Sequence, residues 1–451
     1  MDKRQFLKGS CSILTGTMLS RLVSAEQQAS PAPRTNWSGN YTFHADHLYQ
    51  PTSVEEVEQT VKHCDKLRAL GRGHSFNSIA DSAHNQISLQ HLDSIVLDPA
   101  TKTVTAGAGV SYGQLAPYID ARGYAVHNLA SLPHVSIIGA CATGTHGSGS
   151  HNGNLSTAVA AMEIVDANGT LHTLSRAKDG DNFLGSVVNL GGLGIVTKTT
   201  LNVQPTFQVA QVVYENLSMS HLEKHLDEIF LSGYSVSLFT NWQNHNINQA
   251  WIKRRLDPGA TSVAFAPEFF GAKQATRKLH PVAGHDAEPC TDQLGIPGPW
   301  YERLPHFRMN FTPSSGAEIQ SEYFVSRDKG YEAILAVEEL RDRITPHLLV
   351  TELRTVAPDD LWISQAYQRP SMTIHFTWKL EPEAVLAVLP LIEEKLAPFN
   401  ARPHWAKVFT MQPSHLQGLY ARMSDYRALL QHQDPRGKFR NRCVDKNIFS
   451  A

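Results

Sequence analysis

Three stretches dominated by small residues constrain the first half of the chain more than anything else in it. The first is Leu70-Gly71-Arg72-Gly73-His74-Ser75-Phe76-Asn77. Gly71 and Gly73 allow backbone torsions that other residues avoid, so successive N–H groups can converge into an anion-binding nest. Such a nest suits a pyrophosphate, with Ser75 and Asn77 as further donors. A short Gly-X-Gly on its own is more often an ordinary turn. The second stretch, residues 128–149, includes Ser131, Ser136, Gly139, Thr143, Thr145 and His146, and its small side chains let a flat group lie close to the backbone. The third, residues 185–194, contains Asn189-Leu190-Gly191-Gly192-Leu193-Gly194 and leads into a strand starting at Ile195. Turn chemistry alone does not account for three such stretches in one domain. A long, thin cofactor threaded through that domain does.

Around these stretches the pattern is α+β. Ser53-Val54-Glu55-Glu56 reads as a capping box, followed by a helix that buries Val54, Val57, Val61 and Cys64. Short strands are expected at residues 85–90, 94–98 and 103–106. Ala167-Asn168-Gly169 joins two more, at 161–166 and 170–174, into a hairpin. This half lacks the βαβ order and the G-x-G-x-x-G of a dinucleotide-binding Rossmann unit. From Pro205 the texture changes to longer strands (207–214, 234–242, 250–254) and helices (331–342, 382–396). That reads as a strand-rich second domain with helices on one face. Residues 281–305, with five prolines and Cys290, read as a long ordered loop near the domain junction.

At 451 residues, two or three packed regions are expected. The formal charge is −2, from 40 basic and 42 acidic residues, so neither nucleic acid nor an anionic membrane surface is indicated as a partner. Five cysteines show no paired spacing, which argues against a disulfide framework or a zinc knuckle. The N-terminus begins Met1-Asp2-Lys3-Arg4-Gln5-Phe6-Leu7-Lys8, followed by a modest apolar run and Val23-Ser24-Ala25. This outline fits an export signal over residues 1–25, a twin-arginine variant with Lys3 in the first arginine position. The alternative is a disordered tail on a cytoplasmic protein. The run is too short and polar for a spanning helix.

A polar face emerges in the second domain. Period two puts Glu352 and Arg354 on one side of a strand, and Thr373, His375 and Thr377 on one side of another. Arg402-Pro403-His404-Trp405-Ala406-Lys407 adds a lysine. If the strands are neighbours, these groups line one pocket; otherwise they form a solvated face with a surface salt bridge. The opposite faces carry Leu349, Leu353, Met372, Ile374 and Phe376 as core.

These stretches, with residues 293–308 and 403–407, run in the order found in flavoproteins of the vanillyl-alcohol oxidase superfamily, over nearly the whole chain from Asn36. Within it the chain resembles the alditol (xylitol) and sugar-lactone oxidases, the alditol branch most. The resemblance implies a two-domain fold: an FAD-binding domain (26–205), a strand-rich cap domain holding substrate (206–405) and a C-terminal segment (406–451) returning to the first domain. It implies FAD bound by Leu70, Gly71, Arg72, Gly73, His74, Ser75, Asn77, Ser131, Ser136, Gly139, Thr143, Thr145, His146, Gly191, Gly194, Ile195 and Lys407. His74 matches the histidine that bonds covalently to the flavin 8α-methyl group. Glu352, Arg354, His375 and Lys407 match the catalytic pocket, and Ser136 and Thr377 its substrate-binding hydroxyls.

The implied reaction is oxidation of a terminal CH–OH group, with Arg354 and Lys407 favouring the alkoxide. His375 is the expected base, since an unperturbed imidazole titrates near neutrality. A polyol is the expected substrate and a sugar lactone the alternative; molecular oxygen or another electron acceptor completes the cycle, and a monomer is expected. A nicotinamide-dependent polyol dehydrogenase is disfavoured by the missing fingerprint. No metal centre is expected, because His146 and His151 on a Gly/Ser loop lack a third ligand and supporting hydrogen bonds. A non-catalytic carbohydrate-binding module would be expected to lose the charged pocket residues.

Overall fold

The computed structural model describes residues 34–450, so the expected export segment lies outside the described residues. The first half holds two main sheets, beside a two-stranded pair of Tyr124–Ala125 with Gln204–Pro205. In the smaller, the strands His47–Tyr49 and Arg68–Leu70 flank Asn85–Ser88, all parallel. The helix Val54–His63 makes the crossover between the first two. A small βαβ arrangement is therefore present, contrary to the reading from pattern; strands of three residues are too short to show a period. Ser53 caps the helix by accepting from the Glu56 amide, and Val57, Val61 and Cys64 are buried. The Glu56 carboxylate reaches one residue further back than a capping box requires, to the Thr52 amide at 2.7 Å.

The larger sheet is antiparallel, in the order Ile95–Asp98, Thr103–Gly107, Ile195–Asn202, Val159–Val165, Leu171–Ser175. The expected hairpin at Ala167-Asn168-Gly169 occurs in it, and Ile95–Asp98 and Thr103–Gly107 form a second. Within the second small-residue stretch, Ile137–Ala142 form a short helix that buries Ile137, Ala140 and Cys141.

The cap is one large sheet whose central strands run Gln208–Ser218, Asn246–Arg255, Ser235–Thr240, Leu348–Val356, Ser371–Lys379, Glu318–Ser326, each antiparallel to the next. The helix Pro382–Leu396 turns Val385, Val388, Leu389, Ile392 and Leu396 inward at helical spacing. It packs on the side of the sheet bearing Leu353, Ile374 and Tyr323, whose hydroxyl donates to Glu393 at 2.8 Å. Helical cover on that face leaves the other face, with Glu352 and His375, turned toward the first half. In the proline-containing segment the only regular pieces are Gly298–Pro299 and a turn at Trp300–Glu302. Immediately after it, the His306 and Phe307 amides both donate to the Ser131 carbonyl, which ties this segment to the first half.

Beyond Lys407 the chain packs against the first half again. The Leu67 amide donates to the Lys438 carbonyl at 3.0 Å, and the Tyr426 hydroxyl to the Asn189 carbonyl at 2.7 Å. Arg68 holds the joint. Its buried guanidinium donates to the carbonyls of Ile79 (2.7 Å), Gly191 (2.8 Å), Phe439 (2.8 Å) and Leu190. One side chain thus fixes a strand, the third glycine stretch and the returning tail. Among the described residues no helix is long and apolar enough to cross a membrane. Arg68→Met strands these carbonyls without donors and is expected to cost at least about 3 kcal/mol. A denaturant midpoint unchanged from wild type would contradict that assignment.

Candidate active site

A cavity of ≈ 690 Å³ lies between the two halves, within the size range of cofactor and small-molecule sites. Leu70, Gly71, Arg72, Gly73, His74, Ser75, Ser131, Ser136, Gly139, Thr143, Thr145, His146, Gly191 and Gly194 line it from the first half. Glu352, Arg354, His375, Thr377 and Lys407 line it from the cap side. Two expected contacts fall outside. The Asn77 amide group donates to the Trp405 and Lys407 carbonyls (2.9 and 2.7 Å), so it clamps the lysine segment and is not a free phosphate donor. The Ile195 side chain packs into a separate small core with Val57, Val61 and Ile87. Both lie beside cavity residues in sequence, and adjacency alone does not tell which way a side chain turns.

The first-half side suits a flavin dinucleotide. Among the described residues the amides of Arg72, Gly73, His74 and Ser75 donate to no backbone carbonyl, which leaves a row of N–H groups at the loop. Gly73 (φ +71°) takes a conformation that side chains resist. A Cβ on Gly71 or Gly139 would come within 2.9 or 2.7 Å of Ser136 Oγ, so glycine at both positions keeps this wall open. Among the described residues His74 Nδ1 is buried with no hydrogen-bond partner, and the ring stacks on Trp37 at 5.3 Å. Burial, reinforced by His134 and Arg72, pulls His74 down to about 4, so it is neutral and keeps a nitrogen lone pair.

The opposite wall is built by strand register. Glu352 pairs with His375, which pairs with Glu322, setting three titratable groups side by side across three strands. Arg354 and Thr377 lie two residues along on the same face. Glu322, which the sequence reading missed, is the centre. One of its oxygens accepts from Arg354 Nη2 at 2.6 Å and lies 3.2 Å from His146 Nε2. The other accepts from Lys407 Nζ at 2.7 Å. Burial would raise this carboxyl, but Arg354, Lys407 and His146 outweigh it and hold Glu322 well below the usual range. Glu352 is likewise held far down against its burial, by Arg354 and by His306, whose Nε2 lies 2.7 Å from Glu352 Oε1. The alternation Glu318, Gln320, Glu322 was the signal available for the missed strand.

Lys407 Nζ also donates to His375 Nδ1 at 2.5 Å, and His375 Nε2 lies 3.1 Å from Thr377 Oγ1. Burial pulls Lys407 down to about 8 against the pull of Glu322. Burial and the adjacent Lys407 bring His375 down to about 4. Nitrogens of His146 and His404 and an oxygen of Glu322 lie within 4.8 Å of one another, as metal ligands would. Arg354 and Lys407 already occupy both Glu322 oxygens, and their charges would repel an added cation.

Comparison with known proteins agrees with this geometry. A family described as FAD binding domain matches residues 45–175, and one described as D-arabinono-1,4-lactone oxidase matches residues 315–447. The chain is 44% identical over 412 residues to the alditol oxidase of a Streptomyces species, covering 90% of this chain and 97% of that one. The chain belongs to the alditol oxidase family. It is an FAD-dependent oxidoreductase of the vanillyl-alcohol oxidase type, acting on a CH–OH group. An L-gulono-1,4-lactone dehydrogenase of Mycobacterium tuberculosis is 26% identical over 431 residues, covering 90% of this chain and 97% of its own. The fold matches the crystal structure of cholesterol oxidase from B. sterolicum with a TM-score of 0.73 at 16% identity, over 92% of this chain and 96% of that one.

In this alditol oxidase family member, Glu322→Gln leaves Arg354 and Lys407 facing one another without the carboxylate between them. The expected result is bound flavin with a rate of reduction by substrate at least about 100-fold lower. Stopped-flow absorbance measures it, and a wild-type rate would remove Glu322 from the site.

Proposed function

We propose that this enzyme oxidises the terminal CH–OH group of an alditol, such as xylitol or sorbitol, to the aldose, with molecular oxygen as final acceptor and hydrogen peroxide as product. The observation that carries this reading is the one cavity joining the His74 loop to a buried wall of two carboxylates, two cations, an imidazole and a hydroxyl. FAD, when bound, supplies the hydride acceptor. Glu352 would accept a hydrogen bond from a substrate hydroxyl, and Thr377 and Ser136 would hold others. Arg354 would favour the alkoxide that develops as the hydroxyl proton leaves.

The proton acceptor we infer is Lys407 rather than His375. The Nδ1 lone pair of His375 is already taken by Lys407, and at about 4 the imidazole is a weak base. Lys407 spends two N–H groups on Glu322 and His375, which leaves one position on its nitrogen for the cavity. Its value of about 8 suits a base working near neutral pH. The lysine must be unprotonated to act, so kcat/KM should rise with pH and level off above about 8. Lys407→Met should abolish that limb and lower kcat/KM by about 100-fold or more. An unchanged pH profile would return the role to another group.

The similarity to D-arabinono-1,4-lactone oxidase over residues 315–447 favours a sugar lactone as the second reading. Anaerobic addition of xylitol to the yellow protein separates the two: bleaching supports the alditol, whereas bleaching only by gulono- or arabinono-1,4-lactone supports the second. A covalent bond from His74 to the flavin 8α-methyl is part of the proposal, supported by the neutral, unpartnered Nδ1. Yellow colour should stay with the acid-precipitated protein and move to the supernatant in His74→Ala; colour in the wild-type supernatant would overturn the bond. Export through the Lys3-Arg4 signal is proposed as well, and the N-terminal sequence of the mature protein tests it.

A further inference from the structure

Behind Glu352, on the side away from Lys407, lies a second lysine that the reaction above does not use. Lys253, on the strand Asn246–Arg255, is fully buried. Its ammonium donates to the Leu304 carbonyl at 2.5 Å, to the Pro305 carbonyl at 3.1 Å and to His306 Nδ1 at 3.2 Å. Those contacts match its three donors. The imidazole of His306 is walled by Trp251 and Phe239, at 5.2 and 5.5 Å between ring centroids, both edge-on. Its far nitrogen, Nε2, lies 2.7 Å from Glu352 Oε1.

Burial pulls Lys253 down to about 7 against the pull of Glu352, and two carbonyls and a ring nitrogen offer an acceptor to each of the three donors of its protonated form. A protonated lysine has no acceptor, so a nitrogen facing it must offer a lone pair. In a neutral imidazole the proton then sits on the other nitrogen. The carboxylate at the far end favours the same arrangement, because a bare Nε2 would set two lone pairs against each other. Burial and Lys253 both keep His306 neutral, at about 4. We propose that Lys253 is a positioning residue that locks His306 in the Nε2–H tautomer, so that His306 clamps one oxygen of Glu352 and aims the other at Arg354 and the substrate. Glu352 Oε2 lies 3.6 Å from Arg354 Nε, which among the described residues has no hydrogen-bond partner. The clamp leaves that oxygen free to accept a substrate hydroxyl. The proposal rests on the reading of Glu352 as a substrate-binding carboxylate.

The test is a double-mutant cycle on the flavin-loaded enzyme with Lys253→Met, His306→Leu and the pair, reading kcat/KM for the reducing substrate. Each single change should lower it by about 10–100-fold, the usual effect of removing a partner that orients a site ligand. The pair should be no worse than His306→Leu within about twofold, because Lys253 acts only through His306. Multiplying losses, or a wild-type Lys253→Met, would overturn the proposal. A direct readout needs no activity: nitrogen-15 spectra of histidine-labelled protein, with His306 assigned by its loss in His306→Leu. Wild type should show the Nε2-protonated tautomer; an Nδ1-protonated His306 would overturn the proposal even if Lys253→Met does not fold. Glu352→Gln separates the two levels: if it leaves kinetics at wild type, the substrate-site reading fails, whereas an impaired Glu352→Gln with multiplying losses in the cycle sinks only the clamp.

Discussion

The buried carboxylate of Glu322 is the constraint on which the rest of the site depends. An ionised carboxylate removed from water is costly unless opposite charge and hydrogen bonds surround it. The partners come from different parts of the chain: Arg354 from the cap strand two places away in the sheet, Lys407 from the segment leaving the cap, His146 from the second small-residue stretch. No one of these elements can shift without exposing a charge to an unmatched interior. The ion pairs therefore act less as a source of stability than as a specification of how the cap, the returning segment and the first half are arranged, which makes the cavity between them well defined.

A parallel logic holds the other end of the cavity. Arg68 sits under the glycine loop and gathers carbonyls from three separate segments, while Asn77 on the loop's far side holds the carbonyls of Trp405 and Lys407. The loop that carries His74 is thereby linked to the segment that carries Lys407. The histidine proposed to hold the flavin and the lysine proposed as base are fixed relative to one another by hydrogen bonds to backbone, which do not depend on whether the cavity is filled.

What was legible in the sequence follows from which signals are local. The helix Pro382–Leu396 has its full apolar stripe in sequence, and its bounds agree with the periodicity. The polar face at Glu352 and His375 was legible because period two separates it from Leu353, Ile374 and Phe376, and the register confirms that the strands are neighbours. Glu322 was not legible in the same way. Its strand, Glu318–Ser326, is buried on both sides, and its polar alternation covers only Glu318, Gln320 and Glu322 before Phe324 breaks that face and Ser321 interrupts the apolar one. The short parallel strands His47–Tyr49 and Arg68–Leu70 escaped because three residues hold too little pattern. Asn77 illustrates a different limit: the residue type was right for a phosphate loop, but its partners lie more than three hundred positions away in the chain.

The many histidines gain a common explanation from burial. His74, His306 and His375 are each pulled down to about 4, chiefly by desolvation. At neutral pH they are dipoles with one donor and one acceptor, and the charge of the wall is carried by Glu322, Glu352, Arg354 and Lys407, with Lys253, pulled down to about 7, behind it. A neutral imidazole between a lysine and a carboxylate transmits orientation without adding charge, which is the part His306 plays between Lys253 and Glu352. His375 differs because its lysine is the partner facing the cavity, and its other nitrogen meets the Thr377 hydroxyl instead of a carboxylate. The same residue type thus serves two ends of one wall, and the identity of the group beyond each ring decides whether it fixes a carboxylate or steadies a base.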